Sequence, residues 1–351
     1  MKFIHVVNVR WFNATAWYAL NLSLVLKEHG HDVLLIGLPG SPPIQKAKDL
    51  GVKCFEINLN SNNILKVIRN IFIIKKLIKD YSPDVINCHR GEFFWCFALM
   101  KCIGKLNSPL IRFRGDVRKP RGGFLSRFLL NRCTTKIVVS CKEIESYYKK
   151  LDIPSEKIFV IYGGVDTKKF FKDSEARRVV REELRFSEKD FVIGIIGRFD
   201  PVKGHEILIK AVSRLYCENL IPEVKLLIAG TEANITENEI RELIAKNGIE
   251  HITKIVGFRS DINGIINSLD LGVVPSTGSE TICRVAMEIM AAGIPVVASD
   301  VGSLPEVVPS ENIFKNRDVE DLCDKIVRHY PKTNLFTMDN FYYEYMSTLN
   351  Q

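Results

Sequence analysis

Residues 191–205 read Phe191-Val192-Ile193-Gly194-Ile195-Ile196-Gly197-Arg198-Phe199-Asp200-Pro201-Val202-Lys203-Gly204-His205. An apolar run rich in valine and isoleucine stops at a glycine, which is the signature of a buried strand. A proline-containing turn follows, and helical spacing begins at once over His205–Cys217. A strand that passes through a turn into a helix is one step of a parallel sheet, because parallel neighbours need a long crossover between them.

The step recurs on both sides. Downstream, strands are expected at Lys225–Ala229, Ile252–Val256, Leu271–Val274 and Pro295–Ala298. Helices are expected at Glu237–Asn247, Ile262–Ser268, Cys283–Ala292 and Val319–His329. Upstream, the strands are Phe3–Asn8, Asp32–Ile36, Val52–Ile57, Asp84–Cys88, Leu110–Phe113, Lys136–Ser140 and Phe159–Ile161. The helical patterns between them are Ala16–His29, Asn63–Tyr81, Phe93–Lys105, Leu125–Cys133 and Lys142–Leu151. A chain of 351 residues is long for one domain and suits two. The expectation is α/β, with two Rossmann-like doubly wound parallel-sheet domains facing a cleft. They should span 1–165 and 166–332, with 333–351 as a C-terminal helix. The join is expected in Gly163–Glu188, a glycine-rich turn followed by a charged stretch.

Composition narrows the class. Hydrophobic residues make up 46% and charged residues 26%, ordinary values for a folded chain. The opening apolar run is too short for a signal peptide, and no run is long enough for a spanning helix, so a cytoplasmic protein is expected. Nine cysteines, none in C-x-x-C spacing, argue against a zinc site or redox dithiol and suit a reducing compartment. Residues 1–160 carry 26 Lys and Arg against 12 Asp and Glu, while the remainder is net acidic. The basic half points to an anionic partner: a membrane surface, a phosphorylated lipid, an anionic glycan or nucleic acid.

In open α/β sheets ligands bind beyond the carboxyl ends of the strands. In the opening stretch, Arg198 and Lys203 flank a turn that starts a helix, where backbone N–H groups already favour anions. A guanidinium fork and an ammonium there suit a diphosphate; the same spacing also suits a solvated turn. Further on, Glu280 and Glu288 stand at the start of a helix and within it. They could contact a ligand, or be a helix cap and a surface carboxylate.

Four segments in order resemble the retaining glycosyltransferase family 4, of GT-B architecture. They are Gly163-Gly164-Val165-Asp166-Thr167 with Phe170, Gly197-Arg198-Phe199 with Lys203-Gly204, Gly257-Phe258-Arg259-Ser260-Asp261, and Glu280 to Glu288 followed by Met290-Ala291-Ala292-Gly293-Ile294-Pro295-Val296-Val297. The resemblance implies that Gly197, Arg198 and Lys203 hold the diphosphate of a nucleotide-sugar donor. It implies that Glu288 binds the ribose hydroxyls and Glu280 the donor sugar, with backbone help from Thr281 and Ile282. Phe258 and Arg259 would lie against the base, and Gly230 and Thr231 would line the same pocket. It further implies retention of configuration, no metal and no cofactor, and a final helix, Phe336–Leu349, that crosses back to the first domain.

The first half departs from that family's pattern. The loop after the first strand lacks the usual glycine pair and carries Trp11, Asn13 and Thr15; the aromatics there could shape an acceptor site or belong to the core. Where the family often has a histidine stands Arg114, which cannot act as a base. Asp116 is the nearest proton acceptor, and His89 is expected at a strand end facing the cleft. Asn63–Tyr81 mixes apolar residues with Lys66, Arg69, Lys75, Lys76 and Lys79: a helix packed on the sheet with a solvated basic face, or a membrane-surface helix. A second basic cluster runs from Arg112 to Arg132. The expected activity is transfer of a sugar to a glycan or lipid-linked acceptor in polysaccharide or lipopolysaccharide synthesis, with peripheral contact to an anionic membrane. The rival readings are a nucleotide-sugar epimerase or phosphorylase and a non-catalytic nucleotide-sugar-binding protein. No nucleic-acid reader motif is present.

Overall fold

The computed structural model describes residues 1–331, apart from Asn62, Glu92, Val117, Arg121 and Ser279. The expected helix Phe336–Leu349 lies outside the described residues. The chain divides into two compact units, the first ending at Gly164 and the second beginning at Val165.

The first unit holds strands β1 (Lys2–Val7), β2 (Asp32–Gly37), β3 (Lys53–Glu56), β4 (Val85–Cys88), β5 (Leu110–Arg114), β6 (Lys136–Val139) and β7 (Ile158–Val160). All pair in parallel, in the order β3-β2-β1-β4-β5-β6-β7. Between them run α1 (Ala14–Glu28), α2 (Pro42–Asp49), α3 (Ile64–Tyr81), α4 (Phe94–Cys102), α5 (Phe124–Phe128) and α6 (Lys142–Lys149). One face of the sheet packs on α3 and α4 through residues such as Ile74, Phe97 and Ile86. The other packs on α1 and α2 through Ala19, Ile44 and Leu35.

The second unit holds α7 (Ser174–Leu184), then β8 (Phe191–Ile196), α8 (His205–Cys217), β9 (Val224–Ala229), α9 (Glu237–Lys246), β10 (Thr253–Val256), α10 (Ile262–Asn267), β11 (Leu271–Val274), α11 (Arg284–Ala291), β12 (Val296–Ser299), α12 (Leu304–Val307), β13 (Ile313–Phe314) and α13 (Val319–Val327). Its sheet is parallel, in the order β10-β9-β8-β11-β12-β13. In both sheets the direction of winding reverses beside the first strand, between β1 and β4 and between β8 and β11. The loops leaving those two strands are therefore neighbours, whatever their separation in sequence.

Several expectations need correction. The charged stretch before β8 forms helix α7, which is not among the expected helices; it is capped by Asp173, whose side chain accepts from Ala176 N. Its Val180 and Leu184 join the core, and its Arg181 is fully buried. The two terminal nitrogens of that guanidinium donate to Ser268 O, Ser187 O and Asp190 O and pair with Asp270 at 3.1 Å, so a charged-looking helix is anchored by one buried arginine. Helix α2 opens on Pro42-Pro43, which reads as a turn, yet proline suits a first helical turn that needs no N–H partner. Strand β13 has only two residues, too few for a periodicity. The single helix expected at Leu125–Cys133 is α5 followed by a π-helical turn, Leu129–Cys133.

Among the described residues no helix is long and apolar enough to cross a membrane. The outer face of α3 is nevertheless not simply basic. Ile64, Leu65, Ile68 and Phe72 are exposed there, beside Lys66, Arg69, Lys75, Lys76 and Lys79.

Candidate functional site

The loops after β8 and β11 meet at the winding reversal of the second sheet. The first begins at Gly197, whose N–H donates to Ala229 O. It then makes a tight turn, Pro201–Lys203, capped by Asp200, whose carboxylate accepts from Val202 N at 3.1 Å and Asn234 Nδ2 at 2.9 Å. Gly204 ends the turn at φ +73°, and a Cβ there would lie 1.9 Å from Pro275 O. Glycine thus lets the β8 loop press directly on the β11 loop. The contact is continued by Thr277 N, which donates to Val202 O at 2.8 Å.

This approach brings Lys203 to Glu280, 77 residues away. The ammonium donates to Glu280 Oε1. Ser276, fully buried, donates its hydroxyl to the same oxygen at 2.7 Å. Glu280 is itself nearly buried, and the far side of its backbone is clasped by the loop after β12. A Cβ on Gly302, at φ +60°, would lie 1.8 Å from Glu280 O, and Ser303 N donates to that oxygen at 2.9 Å. Beside the pair, the Arg198 side chain is 65% exposed, and its nearest carboxylate oxygen, on Asp200, is 3.8 Å away. The loop therefore offers solvent a guanidinium, beside an ammonium that a buried carboxylate holds.

Past Glu280 the chain buries Thr281 and Ile282 and enters α11 through Cys283 at φ 49°, whose Sγ lies 2.9 Å from Ser303 Oγ. Glu288 follows on α11. Burial raises its carboxyl pKa, and the cations Arg284, at 3.6 Å, and Lys169 oppose that rise. Lys169, distant along the chain, is brought near Glu288 by the fold.

The other donor-side candidates divide. Gly230 N donates to Val256 O and Thr231 O accepts from Phe199 N, so both sit where the ends of β8, β9 and β10 meet. Phe258 stands 82% exposed beyond β10. Arg259 is not turned toward them as an open cation. Glu183 of α7 takes its guanidinium at 2.5 and 2.8 Å, and Asp261 takes it at 2.7 and 2.8 Å. Helix α7, unexpected from the sequence, supplies one of those carboxylates. Among the described residues no group of three or more His, Cys, Asp or Glu gathers as a metal site.

In the first unit the geometry corrects the reading more sharply. His89 does not face open space; it is 2% exposed. It stacks on His5 with ring centroids 5.1 Å apart, and its Nε2 lies 2.8 Å from His5 Nδ1. The two rings meet because β1 and β4 are neighbours, with His5 in register with Asn87. One ring nitrogen donates and the other accepts, so at most one of the two rings can carry a proton on both nitrogens. Burial drives the His5 pKa down to about 3; it drives His89 well below the ordinary range, with His5 and Arg112 adding to the effect. Arg112 is likewise no surface cation. It is buried, donates to Cys88 O and Phe113 O at 2.9 and 2.7 Å, and stacks on Phe94.

Arg114 ends β5 and pairs with Asp116 at 3.0 Å, while Asp116 also accepts from Arg118 N. The candidate acid–base carboxylate is thus already engaged by its nearest cation. Asn13 caps α1, accepting from Ala16 N at 3.0 Å; Thr15 is buried behind it; and Trp11, 75% exposed, is not a core residue. His5, Ser276, Lys169 and Glu183 were not singled out in sequence. Ser276, two residues beyond a strand end, was findable by the strand-end rule; His5 sits inside an apolar run that hides it.

Two family models match. Residues 15–169 match Glycosyltransferase Family 4, and residues 176–330 match Glycosyl transferases group 1. The chain belongs to the family 4, group 1 glycosyltransferases. A D-inositol 3-phosphate glycosyltransferase of Corynebacterium jeikeium is 28% identical over 222 residues, covering 60% of this chain and 53% of that protein. The lipopolysaccharide core biosynthesis mannosyltransferase LpsB of Rhizobium meliloti is 32% identical over 190 residues, covering 52% and 50%. The chain thus spans about half the length of these curated glycosyltransferases. Among solved structures, Anabaena HepE in complex with UDP superposes with a TM-score of 0.79 at 20% identity, covering 93% of this chain and 89% of that one; HepE has also been captured with UDP-glucose. That likeness shows the GT-B fold.

Proposed function

We propose that this glycosyltransferase moves a sugar from a nucleotide diphosphate sugar to a glycan or lipid-linked acceptor, with retention of configuration. The observation that carries the reading is the contact of Lys203 with Glu280 where the β8 and β11 loops meet, on the loop that also carries the exposed Arg198. A diphosphate leaving group needs its growing negative charge met. In this reading Arg198, Lys203 and the amino end of α8 meet it without a metal or cofactor, Glu280 takes a donor-sugar hydroxyl, and Glu288 the ribose. The bond from the anomeric carbon to the diphosphate breaks as the acceptor oxygen bonds to the same face. The acceptor proton passes to the departing phosphate. The complex of HepE with UDP-glucose supports this donor class. The lipopolysaccharide mannosyltransferase among the relatives supports a cell-surface glycan as product.

The same reading places the enzyme against an anionic membrane on its cytoplasmic side. Exposed Ile64, Leu65, Ile68 and Phe72 on α3, interleaved with lysines, support it. An in-plane helix offers lipid this combination of apolar side chains and snorkelling cations.

The test is incubation with each common nucleotide diphosphate sugar and a membrane-glycan extract, followed by NMR of the anomeric proton. A product with the donor's anomeric configuration is expected. A free epimer, a sugar phosphate or an inverted product would overturn the proposal.

A further inference from the structure

We infer that Ser276 is a positioning residue for the donor sugar; the inference rests on the donor-site reading above. Ser276 is wholly buried, so its hydroxyl cannot itself meet a ligand. It is pinned from both sides. Its carbonyl accepts from Ser299 Oγ at 2.6 Å, and the next residue, Thr277, donates its N–H to Val202 O at 2.8 Å. From that fixed place it donates to Glu280 Oε1 at 2.7 Å.

Two donors, Ser276 and Lys203, share Oε1, and Oε2 accepts from no described residue. They are not equivalent. Lysine is a point charge on a flexible stem and does not define a direction. The last torsion of a glutamate is broad, so a carboxylate held by lysine alone can turn. When a diphosphate arrives it competes for the Lys203 ammonium. Ser276 is then the donor that still holds Glu280, and it fixes which oxygen is left for a sugar hydroxyl. Ser276 would therefore set donor-sugar orientation and selectivity while leaving nucleotide affinity alone.

The experiment uses the full chain carrying Ser276→Ala. Donor kcat/KM should fall about tenfold, as expected for losing one hydrogen bond to a charged group. Discrimination between donors epimeric at one hydroxyl should shrink by a similar factor. Affinity for the nucleoside diphosphate alone, measured calorimetrically, should stay within about twofold, since its contacts are untouched. Ser276→Cys, close in size with a weak donor, should fall between wild type and alanine and guards against a folding defect in the alanine variant. A parallel loss of nucleotide affinity, or unchanged turnover and selectivity in either folded variant, would overturn the inference. Failure of the donor-site reading would look different: the wild type itself would bind no nucleoside diphosphate.

Discussion

The loops at the carboxyl ends of the two sheets are made of opposite materials. In the second unit they bring charges together: Lys203 on the buried Glu280, Arg198 in solvent, and Glu288 near Arg284 and Lys169. In the first unit they hide or cancel charge. Two histidines stack in the interior, Arg112 donates to carbonyl oxygens, and Arg114 is paired with Asp116. Yet by count the first half is the basic one. Net charge describes the outer surface of a domain and its long-range field; it does not say what a strand-end loop presents. Helix α3 alone carries Lys66, Arg69, Lys75, Lys76 and Lys79, away from the residues a motif search would select.

The largest effect that could break this contrast is kinetic. Arg198→Ala and Lys203→Ala should each lower turnover by about a hundredfold or more, the scale of losing a group that stabilises developing charge. Arg114→Ala, whose guanidinium is already neutralised, should cost less than about tenfold on the same enzyme scale. The check is initial-rate kinetics with saturating donor. A greater loss at Arg114 than at Lys203 would mean that the first unit's ion pair opens in catalysis and that the division drawn between the units fails.

A smaller effect would sharpen the picture of the first unit's surface. Charge reversal at Lys75, Lys76 and Lys79 should reduce co-sedimentation with anionic vesicles, by about 1 kcal/mol for each lysine that lies near the lipid. Neutral vesicles should show little change. Phe72→Ser should weaken binding to both. If the wild type ignores anionic vesicles, or the reversed variant binds them equally well, α3 is an ordinary solvated helix.

The sequence made the fold legible because burial in a parallel sheet leaves long apolar runs, and four of the five βα steps after a strand of five or more residues could be read that way in outline. What escaped was short or disguised. Helix α2 was masked by its prolines and α7 by a charged face whose key arginine points inward. The loops after β8 and β11 were legible in part, since a cation pair across a tight turn and carboxylates at a helix entry are local patterns. The partners that complete them were not. Ser276 and Lys203 meet on Glu280, and His5 meets His89 across 84 residues of sequence, only because the strand order places their loops side by side. Pairings of that kind belong to topology, and no spacing rule within one segment reveals them.

The central claim is that the β8 and β11 loops bind a nucleoside diphosphate through Arg198 and Lys203. The most direct test is calorimetric titration of the full chain with UDP, GDP, ADP and TDP in chelator, with Lys203→Ala titrated in parallel. The account predicts binding of one diphosphate by the wild type in the absence of metal, weakened about tenfold or more in the variant by the loss of a charge-assisted contact. Binding by neither protein, or equal binding by both, would contradict it.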